Sequence, residues 1–209
     1  MRFLTARTSR ILAGLPWRWV PYACPGAELT RAVRKAVGPR RDIRVLVLAN
    51  HGTVVTGASP NEVRGLLDEV EARLKLPVRS AESKAPGTLP ELPGYVPASE
   101  PSMHALALDG GLFDTVSRGT IVPDQVVFLG GPVPDLKGLS ADVAPPSILI
   151  RGVGTLARAA LPEAARPMLR GLYDIALRAP ENPLTYLEAG AVEALRPMEA
   201  EKSRQSIAR

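Results

Sequence analysis

The stretch Ile43 to Pro60, I-R-V-L-V-L-A-N-H-G-T-V-V-T-G-A-S-P, constrains the fold more than any other part of this chain. Ile43 to Leu48 is a short apolar run rich in β-branched residues, set between a Gly38-Pro39 breaker and Asn50-His51-Gly52. That pattern predicts a buried strand ending in a tight turn. Thr53 to Thr56 predicts a return strand, closed by Gly57. Ser59-Pro60 then opens a helix, with Ser at the N-cap and Pro at the first helical position. One imidazole, His51, is thereby held at the tip of a rigid strand. Neutral imidazole is the commonest metal ligand, which makes His51 the candidate ligand here; the alternative is an ordinary turn histidine.

The flanking chain continues the alternation of elements. Thr5 to Leu15 predicts a helix ended by Gly14 and Pro16, and Trp17 to Tyr22 a strand with Pro21 at its end or on an edge. Tyr22 to Gly26 is a turn. Glu28 to Val37 predicts a helix with Leu29, Val33 and Val37 on one face. Pro60 to Leu76 predicts another, with Val63, Leu66, Leu67, Val70 and Leu74 inward and a mixed-charge face outward. Pro86, Pro90, Pro93, Pro97 and Pro101, with Gly87 and Gly94 between them, read as an extended connector. Beyond it, Met103 to Leu108 predicts a helical turn or two, and Gln125 to Leu129 a strand. Ser147 to Ile150 predicts a strand, and 163–179 and 187–195 predict helices. The expected organisation is a domain over 1–77, a Pro-rich connector over 78–120 and an α/β extension over 121–209. Strands meeting through tight turns favour an α/β class with a mixed, largely antiparallel sheet.

Composition excludes more than it selects. At 45% hydrophobic residues and a net charge of +5 in 209 residues, the chain reads as a soluble globular protein. With three Phe and two Trp it lacks the basic-and-aromatic face of a nucleic-acid reader. The first twenty residues are Arg-rich and free of acids, like a transit peptide, but Pro16 and the two Trp favour a folded element. No apolar stretch there approaches the roughly 18 residues of a membrane span. A single cysteine, Cys24, allows neither an intrachain disulfide nor a Cys-based zinc knuckle, and reducing, cytoplasmic surroundings fit it.

Few motifs carry chemistry. Gly152-Val153-Gly154-Thr155 follows a strand and is a candidate phosphate loop, yet it lacks the third glycine of a dinucleotide fingerprint; a turn in the sheet is the preferred reading. Cys24 has no evident base, and Pro25-Gly26 make it a turn cysteine. Glu28 and Glu62 are possible acids on solvated helix faces. No catalytic residue is assigned.

Against this background P-Y-A-C-P-G-A-E-L-T-R-A-V at 21–33, L-V-L-A-N-H-G-T-V-V-T-G-A-S-P-N-E-V at 46–63 and L-L-D-E-V-E at 66–71 stand in a familiar order. They resemble the C-terminal half of the class II aldolase/adducin domain, in which a Y-x-x-P-G loop and helix precede a strand ending in N-H-G. More loosely, I-V-P-D-Q-V-V-F-L-G at 121–130, I-L-I-R-G-V-G at 148–154 and M-E-A-E-K at 198–202 resemble later segments of longer members. The resemblance implies a three-layer α/β/α fold and a homo-oligomer with sites near subunit interfaces. It also implies a divalent metal, usually zinc, polarising the carbonyl of a sugar phosphate or related hydroxy-carbonyl compound in an aldehyde-lyase reaction.

Of the family's three histidine ligands, only the third maps here, onto His51. No H-x-H pair occurs in the chain, and nothing in the resemblance makes His104 a ligand. Catalytic zinc wants about three protein ligands, so the set is incomplete. The resemblance therefore implies a truncated reading frame, or a half whose N-terminal partner is encoded separately, without independent activity and with an exposed sheet edge. The other expectation is a metal-free binding or assembly module of the adducin kind. A third, weaker one is a nucleotide-binding protein using Gly152 to Thr155.

Overall fold

The computed structural model describes residues 2–81, 84–139, 144–179 and 184–197. The chain divides into two compact units, Met1–Pro77 and Val78–Arg209.

In the first unit, α1 (Arg2–Ile11) precedes β1 (Trp17–Val20), α2 (Ala27–Val37), β2 (Val45–Leu48), β3 (Gly52–Val55) and α3 (Pro60–Leu74). The strands form one sheet in the order β1-β2-β3. β1 runs parallel to β2, with Trp17 beside Val45 and Val20 beside Leu48. Parallel neighbours need a crossover, and α2 supplies it. β2 and β3 form an antiparallel hairpin pairing Val45 with Val55 and Leu48 with Gly52.

The local signals read from the sequence operate here. Ser59 is extended and its hydroxyl accepts the Glu62 N–H, with Pro60 in the first turn of α3. Glu62 reaches back to accept the Ala58 N–H at 2.7 Å and also pairs with Arg44. Packing is thin: α2 has no fully buried residue, and α3 buries only Val70. The core of this unit is Leu12, Val20, Val45, Leu46, Ala49 and Val70.

The second unit holds β4 (Tyr95–Pro97), α4 (Pro101–Leu108), α5 (Gly110–Ser117), α6 (Pro123–Leu129), β5 (Ser147–Ile150), β6 (Gly154–Arg158), α7 (Ala165–Ala176) and α8 (Ala189–Leu195). Its sheet, ordered β4-β6-β5, is wholly antiparallel. Seven residues of α4 are buried, Ser102 through Leu108, so this short helix is enclosed rather than amphipathic. Leu106, Leu112, Val116, Leu149, Leu169 and Leu172 are among the fully buried residues of this core. Residues 101–117 thus build the centre of this unit, although they fall within the 78–120 segment.

The fold is α/β with a mixed, largely antiparallel set of strand pairings, as expected. One expectation is corrected. Gln125 to Leu129 is not a strand but part of α6. Val126, Val127 and Phe128 favour extended backbone, yet Pro123 opens a helix, Asp124 sits in its first turn, and Gly130 ends it in the left-handed region at φ 81°. Gly152-Val153-Gly154 is a hairpin turn joining β5 to β6, the preferred reading, and opens no helix. Segment 198–202 lies outside the described residues.

Candidate functional site

Because β1 and β2 are parallel, their carboxyl ends lie side by side, and the loops that leave them share one edge of the sheet. Residues 21–26 follow β1 and residues 49–51 follow β2. The pairing extends one step past the strands, with the Ala49 N–H donating to the Val20 carbonyl at 2.9 Å. The outside of the carboxyl ends of parallel strands is where open α/β sheets place ligands.

The turn after β2 is built to present His51. Asn50 adopts φ 60°, a left-handed conformation that Asn tolerates better than other non-glycine residues. The His51 N–H donates to the Leu48 carbonyl at 3.2 Å, closing the turn. The half-buried ring reaches across to the β1 loop, where Nε2 lies 2.9 Å from the Ala23 carbonyl oxygen. A carbonyl only accepts, so Nε2 carries the proton and Nδ1 is left as the lone-pair nitrogen. The Tyr22 ring stacks on the imidazole, with centroids 5.4 Å apart and planes 9° from parallel. His51 is therefore fixed in orientation by one hydrogen bond and one ring face.

Tyr22 is the residue that the sequence reading missed. Its hydroxyl is buried and has no hydrogen-bond partner among the described residues. Burial first, then the neighbouring Cys24 and Glu28, hold the phenol above its ordinary value, so it stays protonated as a potential donor. Y-x-x-P-G in the sequence marks the loop, but nothing there shows that Tyr22 meets a ring 29 residues further on. Glu28 lies in the first turn of α2 and faces this group through its charge. Cys24 is half-buried in the same loop and in no disulfide.

The other sequence candidates lie elsewhere. Glu62 caps α3 and pairs with Arg44. His104 belongs to the second unit, with both ring nitrogens engaged there. Gly152 to Thr155 form the hairpin turn already described.

A divalent metal is tested by the donor set. Among the described residues no three His, Cys, Asp or Glu side chains converge to hold an ion. The turn offers one imidazole, with one lone-pair nitrogen, where catalytic zinc takes about three protein ligands and keeps a fourth position open. The described residues do not fit a metal centre by themselves.

Residues 2–78 match the family model of the class II aldolase and adducin N-terminal domain, a span that coincides with the first unit. No curated protein and no solved structure matches the chain.

Proposed function

We propose, from the premise that residues 2–78 belong to the class II aldolase and adducin family, that the first unit contributes one pre-oriented imidazole, His51, to a divalent-metal site, zinc by resemblance. That site would act on a sugar phosphate or related hydroxy-carbonyl compound. The chain does not cleave carbon–carbon bonds unaided. The observation that carries this reading is the His51 ring itself. It is held at the carboxyl ends of β1 and β2 by the Ala23 carbonyl and the Tyr22 ring, with Nδ1 as its lone-pair nitrogen. A metal-ligating histidine characteristically donates its other ring N–H to a carbonyl or carboxylate. The described residues supply no further donors, so the remaining ones would come from outside them, for instance from a complementing polypeptide. The single cysteine supports a reducing, cytoplasmic setting. No described helix is long and apolar enough to cross a membrane.

The test is made on the purified full chain, loaded with Zn2+ and dialysed. The expected result is well under one zinc per chain and no aldol cleavage of sugar phosphates. Stoichiometric zinc that disappears in His51→Ala, together with cleavage activity, would show a complete site in this chain and overturn the reading.

A second reading is a non-catalytic binding or assembly module of the adducin kind. The hydrogen bond to Ala23 and the stack on Tyr22 favour it, because they give His51 a structural task that needs no ion. Under this reading a complementing partner restores no metal binding, and His51→Ala weakens only the docking of the 21–26 loop.

A further inference from the structure

Two sequence features that the candidate site leaves unused, His104 and the Gly152-Val153-Gly154-Thr155 turn, meet in the second unit. The Thr155 backbone N–H donates to His104 Nδ1 at 3.1 Å, and His104 Nε2 lies 2.8 Å from the Ala98 carbonyl oxygen. A backbone N–H can only donate and a carbonyl can only accept. The ring is therefore the neutral tautomer with its proton on Nε2, fixed from both sides. The Ala98 N–H donates back to the Thr155 carbonyl at 2.9 Å. The Thr155 hydroxyl donates to the Met103 carbonyl at 2.6 Å. His104 is 8% exposed and Thr155 fully buried, so water cannot easily replace these partners.

The network also holds the chain around it. Gly87 on the preceding segment donates its N–H to the Val153 carbonyl at 2.8 Å, laying that segment across the hairpin turn. Gly154 sits where a Cβ would come within 3.0 Å of His104 Nδ1 and 3.1 Å of Pro86 Cβ. The glycine that resembled a phosphate loop is there to let an imidazole and a proline approach the backbone.

We propose that His104 is an acid-releasable pin. While neutral it closes the ring of hydrogen bonds joining residue 98, α4 and β6; protonation of Nδ1 opens that ring and frees the hairpin turn and the segment across it. An imidazolium at this place would set its own N–H against the Thr155 N–H, two donors face to face with no acceptor between them. α4 carries no ionisable side chain besides His104, and β5 carries none. Ionisable groups on the other packed elements and adjoining segments include Arg79, Lys84, Glu100, Asp109, Asp114, Arg151, Arg158, Arg166, Arg170, Tyr173 and Asp174. The ring's hydrogen bonds go to Ala98 and Thr155 instead, so no carboxylate is bonded to it to receive the new N–H.

The test is amide hydrogen exchange on the full chain at pH 7.5 and pH 5, corrected for intrinsic exchange rates. Protection of the Thr155 and Ala98 amides should fall about tenfold at pH 5, while the Leu172 amide at the centre of α7 keeps its protection. In His104→Gln, which cannot titrate, the Thr155 amide should show no such pH dependence. Should that variant not fold, nitrogen NMR of the natural chain decides. The ring must start as the Nε2–H tautomer and gain its second proton in step with the loss at Thr155. Unchanged protection of Thr155, or a loss shared equally by Leu172, would overturn the proposal.

Discussion

Arg79 and Asp109 face each other head-on across thirty residues of chain, with guanidinium and carboxylate joined by two bonds of 2.6 and 2.7 Å. The same carboxylate caps α5, accepting the Gly111 and Leu112 N–H groups at 3.0 and 3.1 Å. The Arg79 backbone N–H meanwhile donates to the Leu177 carbonyl beyond α7. One carboxylate thus ties together an entering segment, a helix start and, through the arginine, a helix end. Its side chain is 7% exposed, so its removal leaves a half-buried cation and an uncapped helix. Asp109→Ala should cost about 3 kcal/mol, less than the full value of a buried pair because Arg79 can turn partly to solvent. Urea unfolding of the two chains checks this; a loss below about 1 kcal/mol would show that the pair is not holding these segments.

Two glycines two residues apart should respond very differently to the same change. Gly152 sits at φ 72° with open space around it, so Gly152→Ala carries only the left-handed penalty, about 1 kcal/mol. Gly154 sits at φ 151° against His104 and Pro86, so Gly154→Ala adds a steric clash and should cost about 3 kcal/mol. Equal midpoints in a denaturant titration would contradict the close approach.

Glu62 gives an acid-side prediction. The Ala58 N–H first, then the Arg44 guanidinium, hold its carboxyl below the ordinary glutamate range. A depressed folded-state pKa contributes stability above the unfolded value, and that contribution is lost as pH falls through the folded one. Glu62→Gln should therefore melt lower than the natural chain at pH 7, and the two melting temperatures should converge at an acid pH below the ordinary glutamate range. Calorimetry at the two pH values reads the difference.

The tyrosines give the alkaline side. Burial is the first cause that raises Tyr22, Tyr95 and Tyr186 above the ordinary value of about 10. A raised folded-state pKa means stability intact below the unfolded value and lost as pH climbs through the folded one. Unfolding should become progressively easier above about pH 10. Ultraviolet titration should show late phenolate formation, arriving together with the loss of structure. Tyr22→Phe should remove part of this alkaline slope and leave stability at pH 7 little changed, because the Tyr22 hydroxyl has no described hydrogen-bond partner.

What the sequence discloses follows from the range of the interactions involved. The hairpin 45–55 and the Ser59-Pro60 helix start are legible because each is specified within a few neighbouring residues. α6 misleads because its β-branched residues are placed by a core that encloses the helix, which removes the periodic signal that separates helix from strand. α4 is enclosed in the same way, yet Met103 to Leu108 already marks it as a helical turn or two. His51 could be singled out as a turn residue, but its fixed tautomer comes from Ala23, and its ring partner is Tyr22. Those contacts depend on β1 and β2 lying parallel, a relation between distant segments that no local pattern records. The meeting of His104 with Thr155 is of the same kind.

That parallel pairing also imposes a sequence of events on the nascent chain. β2 and β3 are joined by a short turn and can zip within microseconds of synthesis. β1 can add only after the 21–44 crossover has closed, a longer search that is compensated only once Val20 is covered. Until then the Tyr22 loop has nothing to lie against, and His51 waits at the tip of a finished hairpin. The residues nearest the candidate site are thus expected to be among the last of the first unit to settle.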